Sequence, residues 1–316
     1  MPQQVLILLV SIFVMWFGAG VSILAIDRLS GRLKISSFLV SFFLLGLLTS
    51  ISELSVTTFS VLDGFPTIAV GNLIGASSVI MLFIVPLFAI ISGQVGIKRS
   101  KESINFTLAA IIIALPAFLV LDKSLSILDG VIIAFAFIIF LLTIRNSRST
   151  LEILEDIIFQ EKINFVLELL KILLGAALIV ISSKFVVDSL IFVAQSFNIA
   201  PFIIGLLILS IGTNVPELTI LIKSVVLKKK TIALGDYIGS SVINTLIFLY
   251  AIFLNSVVSD FDVISLNRGI SFNLLLLPLG SFLLVYFSRN DKLERKEGIV
   301  MLILYILFIV TEVLQI

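Results

Sequence analysis

Ten long apolar runs separated by short polar stretches fill almost all of this 316-residue chain. About 20 mainly apolar residues carry a helix across the hydrocarbon core of a bilayer. On that criterion the runs predict spans over residues 4–26, 36–61, 67–92, 104–121, 126–144, 164–190, 200–227, 231–255, 268–288 and 297–315. The first run lacks a basic start and a small-residue cleavage site and is too long for a signal peptide, so it counts as a span. The expected fold is an all-α polytopic membrane protein with ten transmembrane helices.

The one sizeable polar stretch, residues 145–163, sets Glu152, Glu155, Asp156 and Glu161 among Ile and Leu at helical spacing. It reads as a cytoplasmic amphipathic linker helix and a connector. It divides the chain into five spans within 1–144 and five within 164–316.

Basic residues orient the spans. The loops after spans 1, 3, 5, 7 and 9 hold 16 of the 21 Lys and Arg, among them Arg28, Arg32, Lys98, Arg99, Arg148, Lys228, Lys229 and Arg289. The intervening loops hold only Lys123 and Arg268. By the positive-inside rule the basic loops are cytoplasmic and both termini lie outside. Such asymmetry with compact loops fits a prokaryotic inner membrane.

Laid over 209–244 without a gap, the stretch 45–80 repeats itself. Leu45, Thr49, Glu53, Leu54, Ser60, Val61, Thr67, Ile68, Ala69, Gly71, Ile74, Gly75 and Ser77 each meet their own type, 13 identities in 36 positions. Apolar composition alone gives about three or four. With an odd number of spans per half, the copies enter the membrane from opposite sides. Two inverted five-helix repeats are the architecture of secondary transporters, whose ion sites sit near the midplane at the repeat interface.

Composition narrows the chemistry. Hydrophobic residues make up 59% of the chain and charged ones 13%. Soluble domains carry about 25% charged residues. The difference excludes a secreted domain, a cytosolic enzyme and a nucleic-acid binder. There is no Cys and no His, so disulfides, thiolate metal sites and imidazole bases are absent, and any bound metal is held by oxygens, as hard cations prefer. No nucleophile–base pair or phosphate-binding loop is legible, so the chain reads as a non-enzyme without a covalent cofactor. Its partners are membrane lipid and inorganic cations, and it stands as a monomer or a homo-oligomer.

The repeat carries the candidate site. Its first copy reads Gly46-Leu-Leu-Thr49-Ser50-Ile-Ser52-Glu53, its second Ser210-Ile-Gly212-Thr213-Asn214-Val-Pro216-Glu217. Glu53 and Glu217 lie deep in spans 2 and 7, where an ionisable group costs at least ~2.5–3.5 kcal/mol and faces a cavity or a partner. Cation ligation outweighs a purely structural carboxylate for both. Pro216 has no N–H, so the Gly212 carbonyl loses its helical donor and offers an oxygen beside Glu217. Each copy continues into a glycine motif, Gly71-Asn72-Leu-Ile-Gly75-Ala76-Ser77 and Gly235-Asp236-Tyr-Ile-Gly239-Ser240-Ser241. Glycines four apart let helix backbones approach closely, so packing is their default role. Ser240 and Asn244 share a helix face and can reach the Glu217 site. Asp236, near the start of span 8, reads equally as a helix-terminus carboxylate or a member of the ion path.

At these residues the chain resembles the sodium/calcium exchanger family of the calcium:cation antiporter superfamily. The resemblance covers the five-plus-five plan and the motifs Gly-Thr-x-x-Pro-Glu and Gly-(Asn/Asp)-x-x-Gly-Ser. It implies antiport by alternating access, with Ca²⁺ and Na⁺, or H⁺, as transported ions. By position it implies Glu53 and Glu217 as shared carboxylates, and backbone carbonyls of Thr49 and Thr213 for calcium. Ser50 and Ser240 with the Gly46 carbonyl would line one sodium site, and Asn214 and Ala76 with the Ser210 carbonyl the other. Asn244 and Ile80 stand where the family has Asn or Asp. Against the family pattern Ala76 replaces a hydroxyl, Asn214 a serine, Ile80 a polar residue and Ser52 a proline. One sodium site is intact by this comparison and its symmetry mate has lost ligands, so the coupling ion stays open between sodium and a proton. A cation antiporter is the expected function. The alternatives on the same scaffold are an uncoupled channel or uniporter and a cation-binding membrane protein that does not transport.

Overall fold

The computed structural model describes residues 2–33, 37–96, 106–145, 162–196, 204–259, 264–265, 275–287 and 292–313. The chain is all-α, and among the described residues ten helical stretches stand where the ten apolar runs were read. They are α1 (Pro2–Leu33); α2 (37–49) with α3 (Ile51–Leu62); α4 (Pro66–Ser92); α5 (Phe106–Leu119); α6 (Ile127–Arg145); α7 (Lys162–Ser196); α8 (204–213) with α9 (Val215–Val226); α10 (Lys230–Val258); α11 (Leu276–Phe287); and α12 (Arg295–Val313). Helices α1 and α7 run several residues beyond their apolar stretches, because polar ends keep their backbone bonds after leaving the hydrocarbon. Five stretches are long and apolar enough to cross a membrane, and the bent α8–α9 pair makes a sixth; α5, α6 and α11 are shorter apolar helices. The expected linker helix falls on residues outside those described.

Two antiparallel ladders tie loops together, an addition to the all-helical expectation. Strand β1 (Gln94–Gly96) pairs with β4 (Lys292–Glu294), and β2 (Ser124–Leu125) with β3 (Ile264–Ser265). Lys229 forms an ion pair with Asp27 at 2.7 Å, and Lys230 donates to the carbonyls of Ser92 and Gln94. The loops after spans 1, 3, 7 and 9 thus gather at one end and those after spans 4 and 8 at the other, as the basic residues predicted. Asp27 precedes the first broken helix and Lys229 follows the second, so the two broken helices run in opposite directions.

The repeat is visible in the backbone. Each copy has a π-helical turn (Ser41–Leu45, Ile204–Leu209), a four-residue α turn (Gly46–Thr49, Ser210–Thr213), one residue of break (Ser50, Asn214) and a twelve-residue helix. The copies interlock, because each broken helix packs on the long helix of the other copy. A Cβ on Gly46 would lie 2.8 Å from the Ser240 nitrogen of α10, and one on Gly75 of α4 would collide with the Leu206 carbonyl of α8. Gly239 faces the Phe42 carbonyl and Gly205 the Ile68 carbonyl at the same kind of approach. Packing is therefore what Gly75 and Gly239 do. One apolar core joins both halves, while large side chains such as Phe13, Phe135 and Phe253 stand on the outside, as a bilayer solvent requires.

Candidate functional site

Both broken helices fail at the residue just before the carboxylate-bearing helix, for different reasons. In the first copy Ser50 keeps a helical bond, its N–H donating to the Gly46 carbonyl at 3.2 Å, and residues 41–62 pass as one continuous span. In the second copy Pro216 removes a donor from the first turn of α9, and the chain bends by 42° between α8 and α9. Two carbonyls respond. Gly212, whose helical donor is lost at Pro216, faces the backbone N–H of Asn214, as Leu48 faces that of Ser50 in the first copy. The carbonyl that turns to a side chain is that of Ser210, which accepts Asn214 Nδ2 at 2.6 Å.

These breaks bring the predicted residues into one buried zone where α2–α3, α4, α8–α9 and α10 meet. Glu53, Thr49, Ser50, Ser210, Thr213, Asn214, Glu217, Asp236, Ser240 and Asn244 are all at most 1% exposed, and Gly46 is buried between them. Hydrogen bonds cross between copies: Thr49 Oγ1 donates to Asp236 Oδ1 at 3.2 Å, Ser50 Oγ to the Ser240 carbonyl at 3.5 Å, and Asn214 Nδ2 to the Ala76 carbonyl at 3.5 Å. Ser52, where the second copy has Pro216, donates to Glu53 Oε2 at 2.9 Å. Tyr237 Oη reaches the Glu217 carbonyl at 3.3 Å and rests edge-on against Phe88, which fixes α9 against α10.

Asp236 needs a corrected local account. Helix α10 begins at Lys230 with no acidic residue in its first turn, so Asp236 is too far along to act as a terminal carboxylate. It is instead buried beside Thr49. Its repeat mate Asn72 was passed over in the sequence as part of a packing motif. Asn72 is fully buried, with neither side-chain atom hydrogen-bonded. The gap-free register that pairs 72 with 236 was the signal that pointed to it.

What the zone can do follows from its unpaired oxygens. Among the described residues Glu53 Oε1, both oxygens of Glu217, Asp236 Oδ2, Asn72 Oδ1, Asn214 Oδ1, Asn244 Oδ1 and Thr213 Oγ1 have no hydrogen-bond partner in the protein. A buried polar atom without a partner costs about 1–3 kcal/mol, more if charged; beside these oxygens the donors Asn72 Nδ2 and Asn244 Nδ2 are also unpaired among the described residues. Among the described residues no three acidic side chains gather as a metal cluster. Carboxylates and neutral oxygens would share any ligand set, the mixture that hard cations accept. Ala76 and Ile80 are buried in the same region without a side-chain oxygen.

A model of the sodium/calcium exchanger protein family matches residues 3–145 and 167–314. The chain is 24% identical to an uncharacterised membrane protein of Methanocaldococcus jannaschii over 95% of both chains. It is 27% identical to the sodium/calcium exchanger MaX1 of Methanosarcina acetivorans over 46% of this chain and 41% of that one. It is also 23% identical to the putative antiporter CaxA of Alkalimonas amylolytica over 76% of this chain and 77% of that one. A solved structure of the sodium-calcium exchanger NCX_Mj, soaked with Na⁺ and Sr²⁺, superimposes with a TM-score of 0.77 at 22% identity over 98% of both chains.

Proposed function

The chain belongs to the sodium/calcium exchanger protein family, and from that premise we propose that it exchanges Ca²⁺ for Na⁺ or H⁺ by alternating access. The cations are held between Glu53 and Glu217 at the interface of repeats 1–144 and 164–316, with 145–163 as the cytoplasmic connector. Membership of a transporter family already gives an integral membrane protein that moves cations and is not a catalytic enzyme. The observation that carries the finer reading is the pair of buried glutamates, at equivalent repeat positions, whose unpaired oxygens stand among those of Asp236, Asn244, Thr213 and Asn214.

Each residue then has a part. Glu53 and Glu217 supply the charge and bind whichever ion is present, so calcium and the counter-cation exclude one another. Thr49 and Thr213 offer carbonyls to calcium, and Ser50, Ser240 and the Gly46 carbonyl line the monovalent position at the first-copy end. Asp236, held by Thr49, keeps the approach negative. The breaks at Ser50 and Asn214 frame a fixed site, about which one bundle of helices rocks against the other to give alternating access. The basic loops face the cytoplasm and both termini lie outside, in a prokaryotic inner membrane.

Uptake of ⁴⁵Ca²⁺ into proteoliposomes of the purified protein tests this under an outward sodium gradient, an outward proton gradient and neither. Antiport gives uptake under one of the gradients and none without. Equal uptake in all three, or in none, overturns it. Equal uptake would favour the uncoupled uniporter, a reading that Ala76 and Ile80 bring forward because they remove side-chain oxygens from one end of the site.

A further inference from the structure

We infer that the side-chain amide of Asn214 fills a cation position of its own protein, so that the second-copy end of the site holds no exchangeable monovalent ion. The inference rests on the antiport reading above and specifies its stoichiometry: one counter-cation fewer per calcium than the same scaffold with hydroxyls at both ends.

The geometry comes from the repeat. At each break one side chain reaches the carbonyl of the other copy's long helix, Ser50 that of Ser240 and Asn214 that of Ala76, each at 3.5 Å. The first-copy break keeps the Gly46 carbonyl on the backbone N–H of Ser50. The N–H of Ser50 also faces Leu48; in the second copy the equivalent contact to Gly212 is the one that the N–H of Asn214 keeps, and Nδ2 of Asn214 takes the Ser210 carbonyl at 2.6 Å. Two carbonyl oxygens from different helices therefore converge on one nitrogen in a place with no solvent exposure. Carbonyls at a broken helix are the groups with which transporters of this architecture hold monovalent cations.

The two side chains differ in what they can become. A serine hydroxyl has one donor and two lone pairs. Ser50 can turn its proton away from the Ser240 carbonyl and ligate an arriving ion. The amide nitrogen is donor only, and its two hydrogens present partial positive charge to the carbonyls permanently. Reversing the amide would set Oδ1 against the Ser210 oxygen, acceptor to acceptor. A cation could enter only by breaking both bonds, and it would find Ala76 where the first-copy end has Ser240. The same contacts would also serve a plain clamp of α8 on α4, so the test must count ions.

Equilibrium binding of ²²Na⁺ to the purified full-length protein is compared for the wild type, Ala76→Ser with Asn214→Ser, and Asn214→Asp. Removing the amide exposes the two carbonyls, and each variant is expected to bind one sodium ion more per chain than the wild type. In proteoliposomes the counter-cation to calcium ratio rises by one. Asn214→Asp keeps the shape of the side chain and carries only acceptors, so it covers the case in which the double serine variant fails a thermal-unfolding check. The converse change, Ser50→Asn, is expected to remove one sodium ion from the wild-type count. An unchanged count in the folded variants, with gradient-driven calcium uptake intact, overturns the inference and leaves antiport standing. Failure of the wild type to take up calcium under any gradient overturns the antiport reading itself.

Discussion

The two ends of the site share a backbone and differ in side chains. At the first-copy end stand Ser50, Ser52, Asp236 and Ser240, where Ser50 donates to the Ser240 carbonyl, Ser52 to Glu53, and Thr49 to Asp236. At the second-copy end the same positions hold Asn214, Pro216, Asn72 and Ala76. There Asn72 makes no side-chain hydrogen bond among the described residues, while unpaired oxygens remain on both glutamates. The helical breaks nevertheless fall at equivalent residues, one bent by proline and one without it. Duplication has kept the scaffold, and substitution has made its halves chemically unequal.

The largest effect should come from the charges common to both ends. Glu217→Gln and Glu53→Gln should each abolish exchange, since removing one member of a desolvated charged contact costs about 2–5 kcal/mol, or roughly 30- to 4,000-fold. Calcium uptake by either variant at the wild-type rate would remove the glutamates from the mechanism. Next comes the interlock. Gly75→Ala and Gly239→Ala push a methyl group into a neighbouring helix backbone and should destabilise by about 1–3 kcal/mol each, read as a lowered thermal midpoint in detergent. Similar losses would show that the halves are packed alike even where their chemistry differs.

A smaller effect is expected from Thr49→Val, which strips Asp236 of its donor and should weaken calcium uptake about two- to tenfold, the value of one buried hydrogen bond. Uptake at the wild-type rate would show that this bond does not support the site. The smallest effect belongs to the Asp27–Lys229 ion pair, partly exposed at 34% and 37%. Asp27→Asn should lower stability by no more than about 1 kcal/mol.

Much of this was legible beforehand. Hydropathy gave the ten helical stretches because lipid-facing helices have no other way to satisfy their backbone, and the alternation of basic loops gave the shared ends that the two ladders and Lys229 now tie. The gap-free register between the copies gave the site, since pairing Glu53 with Glu217 also paired Ser50 with Asn214 and Asp236 with Asn72. Sequence reasoning lost its hold where the outcome depended on competition between donors. That Asn214 would send its N–H to Gly212 and its amide to Ser210 depends on the bend at Pro216, which no local pattern encodes. Asp236 was open to two readings in the sequence, and its place six residues beyond the Lys230 start of α10, against Thr49, is a tertiary fact that the sequence does not carry. Asn72 was hidden in a glycine motif in which Gly75 does pack against α8.

Coupling itself can be watched in sealed vesicles loaded with calcium and placed in calcium-free medium, with ²²Na⁺ or a pH dye reporting the counter-cation. Antiport predicts that calcium running out drives sodium or protons inward against their own gradient, and that Glu53→Gln abolishes the movement. Calcium that runs down at the same rate with no counter-cation accumulated would contradict it.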